Sequence, residues 1–387
     1  MSHCRYLILK VLFLVNCSNF FVSHFIQLAI SVKDRGHRVC VAAGNDFQKD
    51  QIERMGFEFK KINLSRSGKN LSSEISSIFS IYRLFSDYEP DLVHMLTIKP
   101  ILYGGFIGRL TNLFKRRQMI ASVTGLGSSS MSEKLSGKII WNCVKLAYRF
   151  VFSSNSIKVI FENSDDRSLF IKNRIVNENN SFLVNGAGVD INEFCPSSIK
   201  DEKISVILVA RYLKDKGINE YIKAGRILKE SQVDVELLLV GSIDEENPSS
   251  MKQDEIDFAN SRGYIKDLGY RTDIAKCYQR SHIACLPSYR EGLPKSLIEA
   301  AACGLPIITT DVPGCRQMVG NHLNGLIVPV KNAESLADAI KQLVSNRENI
   351  IRMGMESRKI AENLYSYERV IDSFHKIYDI NRIENLQ

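Results

Sequence analysis

Short runs of Val, Leu, Ile and Phe alternate with longer amphipathic stretches along the chain. "YLILKVLFLV" (6–15) leads into "FFVSHFIQLAISVKDRG", then "HRVCVAA", and "DLVHML" precedes a helical pattern that opens near Pro100. Continuous apolar runs bounded by polar turns predict strands buried on both faces, and the 3.6-residue recurrence between them predicts covering helices. The pattern stops in the polar stretch "DINEFCPSSIKDEK" (190–203). It resumes with "ISVILVARY", "GINEYIKAGRILKE", "DVELLLVG", "HIACLP", "SLIEAAACG" and "PIITT". Alternation of this kind predicts parallel sheets clothed in helices, an α/β fold. Two Rossmann-like, doubly wound domains are expected, 1–195 and 196–365, with a helical tail over 366–387 that begins "SYERVIDSFHKIYDI". No repeat of solenoid period is present.

Composition changes little in this picture. The 387 residues are 44% hydrophobic and 24% charged, ordinary usage for a chain of two domains. The apolar run near the N-terminus is interrupted by Lys10 and is followed by no small-residue cleavage site, so it reads as a first core strand and not as a signal peptide. No uninterrupted apolar stretch reaches the length of a spanning helix. The nine cysteines form no CxxC pair and have no histidines at zinc-finger spacing, which fits a reducing compartment. Charge is more informative. Residues 1–190 hold 25 Lys+Arg against 15 Asp+Glu, whereas 191–387 hold 26 against 28. A basic first half suits an anionic partner, whether a membrane surface, a nucleic acid or a phosphorylated substrate, and suits simple solubility equally well.

The glycine fingerprint of nicotinamide and flavin enzymes is missing. The turn after the first strand reads "NCSNFFVSH", "YGGFIGR" (103–109) lies within a helical stretch, and no Walker GxxxxGK[ST] occurs. A different anion site is suggested by "HIACLPSYREGLPKSLIEAAACG". Here a strand, a loop and a helix with Pro294 near its start would bring free N–H groups to the carboxyl edge of a sheet. Glu291 precedes the helix, and Glu299 follows about 8 Å along it. Two carboxylates so placed could grip the sugars on either side of a pyrophosphate. The plainer alternative is that Glu291 favours the helix end and Glu299 is exposed. Cations for a diphosphate are offered by "VILVARYLKDKGI", in which Arg211 and Lys216 follow a strand and Gly217 turns the chain into a helix.

Arg211 with Lys216, then Glu291 and Glu299 in an E-x7-E arrangement, then "GLPIITTDVPGCRQMVGNHLNGLIVP", resemble the retaining glycosyltransferases of family 4. "DLVHMLTIKPILYG", "VTGLGS" and "VNGAGVD" resemble a narrower branch, the bacterial enzymes that extend undecaprenyl diphosphate-linked glycans of O-antigen or capsule. The resemblance implies a GT-B fold whose two domains face a central cleft and whose C-terminal helix crosses back onto the N-terminal domain. It also implies roles: Arg211 and Lys216 on the donor diphosphate, Glu299 on the ribose diol, Glu291 on the donor sugar, and the backbone of Gly292 and Leu293 against sugar and phosphate. The donor would be a UDP-sugar, by analogy UDP-N-acetylhexosamine, with no metal and no other cofactor. On the acceptor side, His94, Thr124 and Gly125 are candidates, although the family's histidine is absent from "TGLG" and its glycine pair from "NCSNFFVSH", and His94 reads equally well as a satisfied core histidine.

Other classes remain open at this stage: a sugar-nucleotide epimerase or phosphorylase of the same architecture, or a noncatalytic nucleotide-sugar binder. No RRM, KH or zinc signature supports a nucleic-acid partner. The segment 131–152, "MSEKLSGKIIWNCVKLAYRFVF", puts Lys134, Lys138, Lys145 and Arg149 within about a 60° arc of one helix, with Trp141 and Tyr148 beside it. Read with a lipid-linked acceptor, this predicts docking on an anionic membrane surface, with the protein peripheral on the cytoplasmic face of the inner membrane. A surface helix with its other face in the core is the competing reading.

Overall fold

The computed structural model describes residues 8–64, 71–111, 113, 117–126, 135–154, 156–198, 203–245, 247–320 and 323–378. The chain divides into two compact units, one formed by 1–184 with 370–387 and the other by 185–369.

In the first unit the described strands are β1 (Lys10–Val15), β2 (Arg38–Ala43), β3 (Glu58–Lys61), β4 (Leu92–Leu96), β5 (Gln118–Val123), β6 (Ile157–Phe161) and β7 (Ser181–Leu183). They form one parallel sheet in the order β3-β2-β1-β4-β5-β6-β7. Its helices are α1 (Ser18–His24), α2 (Ile26–Asp34), α3 (Lys49–Arg54), α4 (Leu71–Tyr88), α5 (Ile98–Leu110), α6 (Leu135–Phe152) and α7 (Ser164–Lys172). β1 explains its own sequence. Leu12 and Leu14 pack on one face with Ile81, Phe85, Ile101 and Phe152, while Val11, Phe13 and Val15 pack on the other with Phe21, Leu28 and Val32. A strand with both faces covered has no polar alternation to show. Lys10 is tolerated because it stands at the strand's first position, where its ammonium reaches the Tyr88 carbonyl.

The second unit has β8 (Ser205–Val209), β9 (Glu236–Val240), β10 (Lys266–Asp267), β11 (Ile283–Leu286), β12 (Ile307–Thr310) and β13 (Gly325–Val328), ordered β10-β9-β8-β11-β12-β13. Its helices are α8 (Ile218–Glu230), α9 (Gln253–Ser261), α10 (Ile274–Arg280), α11 (Lys295–Ala302), α12 (Ala333–Val344) and α13 (Arg347–Ile360). The last helix, α14 (Tyr367–Tyr378), runs from residues of the second unit into residues grouped with the first. Val370, Phe374, Ile377 and Tyr378 fill the same core as β1.

The division falls at 184/185, earlier than the boundary at 195 expected from the polar stretch. The cause is packing: Val189 and Phe194 are buried in the second core, and Gly186 lies against Leu293 and Ile298. Local polarity marked where helices and strands pause, whereas the boundary follows where the few apolar residues of that pause are buried.

Candidate functional site

In the second sheet the strand order reverses between β8 and β11, and open α/β sheets hold ligands at the carboxyl edge beside such a reversal. Arg211, Lys216, Gly217 and Glu291 follow strands at that edge, and Glu299 lies within the helix that leaves it. Arg211 follows β8, Lys216 ends a 3-10 turn, and Gly217 at φ 75° admits the chain to α8, since a Cβ there would strike the Pro287 carbonyl at 2.1 Å. Glu291 sits in the loop after β11, and α11 begins behind Pro294, its N-cap.

The structure brings Lys216 and Glu291 together. Lys216 Nζ donates to both oxygens of Glu291, at 2.6 and 2.8 Å, and the Ser288 hydroxyl donates to Glu291 Oε1 at 2.5 Å. Both side chains are largely buried, 23% and 10% exposed, so the pair is shielded from solvent more than a surface bridge would be. The ammonium has a third N–H, which gives it the capacity to serve another oxygen without leaving the carboxylate.

Arg211 donates from Nη1 to Asp244 at 2.5 Å, and its guanidinium is half exposed. Asp244 escaped the sequence reading, because it follows a different strand, β9. Glu299 is within 3.3 Å of Lys295 on the preceding turn of α11. Burial pushes its carboxyl above the ordinary value of 4.5, with Lys295 pulling the other way. The exposed-side-chain reading of Glu299 therefore does not hold.

Supporting residues were also invisible locally. Gly314, φ 78°, lies so close that a Cβ would meet the Gly292 carbonyl at 2.2 Å, and it fixes the backbone of the Glu291 loop from the β12 side. The Thr310 hydroxyl donates to the Ser288 carbonyl. Tyr289 donates its hydroxyl to Glu220 of α8, and its backbone N–H reaches the Asp215 carbonyl at 2.9 Å. The β11 loop is thus tied to the β8 loop on one side and to β12 on the other. Leu293 is buried beneath Gly186. Burial, with the Glu291 charge second, pushes the Cys315 thiol up to about 12, so it remains protonated.

In the first unit the acceptor-side assignment of His94 is corrected. The ring is 0% exposed in the middle of β4, hydrogen-bonded through Nδ1 to the Tyr378 hydroxyl at 2.8 Å and through Nε2 to the Ser122 hydroxyl at 2.7 Å. Phe13, Phe25 and Phe374 surround it. It is a core residue that receives α14. Thr124 and Gly125 do leave the carboxyl end of β5 and are half buried, with open space where a Gly125 side chain would stand. On α6, Lys138 is exposed, Lys145 is half buried and Arg149 is held by the Asn173 carbonyl at 2.7 Å, while Lys134 lies outside the described residues. Tyr148 is wholly buried and Trp141 packs against the core, so neither aromatic occupies the outward position expected of it.

Two parallel, doubly wound sheets, one with cations and carboxylates gathered at its reversal point, define a GT-B protein. The profile of the "Glycosyl transferase 4-like" family matches residues 10–163, and that of "Glycosyl transferases group 1" matches 190–360. The N,N'-diacetylbacillosaminyl-diphospho-undecaprenol alpha-1,3-N-acetylgalactosaminyltransferase of Campylobacter jejuni is 26% identical over 373 residues, covering 92% of this chain and 95% of that one. An Escherichia coli UDP-Gal:alpha-D-GlcNAc-diphosphoundecaprenol alpha-1,3-galactosyltransferase is 22% identical over 80% of each. Among solved structures, sucrose-phosphate synthase of Thermosynechococcus elongatus superposes with a TM-score of 0.78 at 17% identity, over 95% of this chain and 98% of that one. Anabaena HepE in complex with UDP-glucose gives 0.75 at 18%, over 96% and 99%. The chain belongs to the GT-B glycosyltransferases of family 4.

Proposed function

We propose that the protein transfers an N-acetylhexosamine from its UDP conjugate to a saccharide carried on undecaprenyl diphosphate, with retention of anomeric configuration, in O-antigen, capsule or related glycan assembly. The observation that carries this reading is the Lys216–Glu291 pair at the sheet's reversal point, with Glu299 further along the following helix. The names of the Campylobacter jejuni and Escherichia coli relatives supply the acceptor class.

In this reading Lys216 and Arg211 hold the diphosphate, Glu299 accepts from the ribose hydroxyls, and Glu291 accepts from a hydroxyl of the donor sugar while keeping Lys216 in place. Gly292 and Leu293 offer backbone to sugar and phosphate. The acceptor oxygen bonds to the anomeric carbon on the face from which the UDP oxygen departs, and the acceptor's proton passes to that oxygen. Fixed cations are worth most when the bond breaks, because charge grows on the leaving oxygen. Charge neutralisation is assigned to Arg211 and Lys216 without a metal, so transfer is expected to survive EDTA. The work is done at the cytoplasmic membrane face, where a lipid-borne acceptor is reached by a peripheral protein. No helix among the described residues is long and apolar enough to cross a membrane.

The deciding assay incubates the protein with radiolabelled UDP-sugars, one at a time, and an undecaprenyl diphosphate-linked acceptor, then extracts product into organic solvent. Label in the organic phase with one sugar supports the reading. Label that never leaves the aqueous phase, with every sugar tried, overturns it.

A further inference from the structure

We propose that the outward faces of α4, α5 and α6 form one docking platform for an anionic phospholipid bilayer, with apolar side chains entering the headgroup layer and cations around them. The proposal rests on the reading that the acceptor is lipid-borne, but the surface is defined by the structure. The three helices follow successive crossovers in the same direction along the sheet and lie side by side on one face of it. Glu74 of α4 holds Lys99 and Tyr103 of α5. Gly105 of α5 sits so close to Val151 of α6 that a Cβ would be 2.2 Å from it, and the Phe106 and Phe150 rings meet at 5.8 Å.

These helices show large apolar side chains to solvent among their polar ones. Nine of the thirteen exposed large hydrophobic residues described in the first unit belong to them, among them Ile75, Phe79, Leu110, Ile139, Leu146 and Phe150, from 44% exposed at Phe150 to 64% at Leu110. Surface patches of this kind mark contact sites when residues cluster and are unremarkable when they are scattered. Charge identifies the occupant. Arg83 lies over Phe79 at 4.5 Å and Arg109 over Phe150 at 5.0 Å, Lys138 and Lys145 flank the α6 part, and neither α5 nor α6 carries an Asp or Glu; on α4, Glu74 is taken up by Lys99 and Tyr103, which leaves Asp87 near the helix's C-terminal end as the exposed acid. A second copy of the chain across a two-fold axis would set these cations against themselves. An anionic bilayer neutralises them and accepts the aromatic and aliphatic side chains. The platform replaces the narrower basic stripe expected from the helical wheel. Phe79, Tyr82, Phe106 and Phe150, not Tyr148 and Trp141, are its aromatic anchors.

The experiment is cosedimentation of the full chain with vesicles of phosphatidylcholine, with or without phosphatidylglycerol, alongside transfer to a short-chain, water-soluble diphosphate-linked acceptor. The parent is expected to bind the phosphatidylglycerol vesicles, more strongly at low salt. Ile139→Ser with Leu146→Ser should weaken binding by on the order of tenfold at any salt. Lys138→Glu with Lys145→Glu should weaken it at least about tenfold, mostly at low salt. Both variants change solvent-exposed or half-exposed positions and should keep transfer to the soluble acceptor. Parent-like sedimentation of the apolar variant overturns the platform. So does a parent that is dimeric in solution and turns monomeric on Leu146→Ser, which would assign the face to a second copy. Loss of soluble-acceptor transfer in the parent itself speaks against the proposed function instead.

Discussion

Lys216 Nζ lies 2.6 and 2.8 Å from the two oxygens of Glu291, although the two residues follow different strands and are 75 positions apart. They meet because β8 and β11 are neighbours in the sheet. If the ammonium stabilises the leaving diphosphate, Lys216→Ala should lower turnover by about 100-fold or more while donor affinity changes far less. Pre-steady-state transfer and UDP-sugar titration separate the two quantities. Near-normal turnover would remove Lys216 from the mechanism.

Glu299 links ligand binding to protons. Its carboxyl is held above 4.5 by burial, so in the folded protein it resists ionisation, and its own contribution to stability declines as pH rises through that range. A ribose diol donates hydrogen bonds and favours the ionised form, so UDP binding should release protons and tighten with rising pH just above the ordinary carboxylate range. Calorimetry in buffers of different ionisation heat measures the release. Glu299→Gln should abolish it and weaken UDP by about 1–3 kcal/mol. An unchanged UDP affinity would contradict the assignment.

His94 makes the seating of α14 sensitive to acid. Burial lowers its pKa to about 3, and burial, aided by Arg35, lowers that of His375 on α14 to about 4. Both remain neutral in the folded chain while the unfolded chain takes up protons below about 6.5. Their stabilisation is full above that value and is lost as pH falls toward the folded values, at about 1.4 kcal/mol per pH unit for the wholly buried His94 and at less for His375, which solvent partly screens. Denaturant unfolding at pH 7 and pH 5 should show the loss, and His94→Asn should reduce the difference between the two. The same difference in parent and variant would mean that other groups govern acid sensitivity.

Gly314 tests how the Glu291 loop is held. Gly314→Ala needs a left-handed backbone that alanine disfavours by about 1 kcal/mol, and it drives a methyl group into the Gly292 carbonyl. A fall of about 2–4 kcal/mol in stability and a matching loss of UDP affinity are expected, read by thermal melts and titration. A variant that melts and binds like the parent would show that the loop needs no such support.

The sequence by itself determined what short-range physics governs. Apolar runs and helical periods specified strands and helices, and the eight-residue interval between Glu291 and Glu299 placed one carboxylate ahead of α11 and the other inside it. The cysteine pattern and the missing glycine fingerprints were equally local. Strand order and burial were decided by the tertiary structure. The adjacency of β8 and β11 joined Lys216 to Glu291, and β9 brought Asp244 to Arg211. Burial of Val189 and Phe194 moved the boundary to 184/185. On α6, angular spacing correctly grouped residues by direction but could not say which direction pointed inward. Tyr148 went to the core and Phe150 to solvent because β5, β6 and α5 lie on one side of the helix, and a wheel drawn from sequence contains no neighbours. His94 sits in a strand covered on both faces, so a position that resembled a reactive group became a satisfied core residue when α14 supplied the Tyr378 hydroxyl.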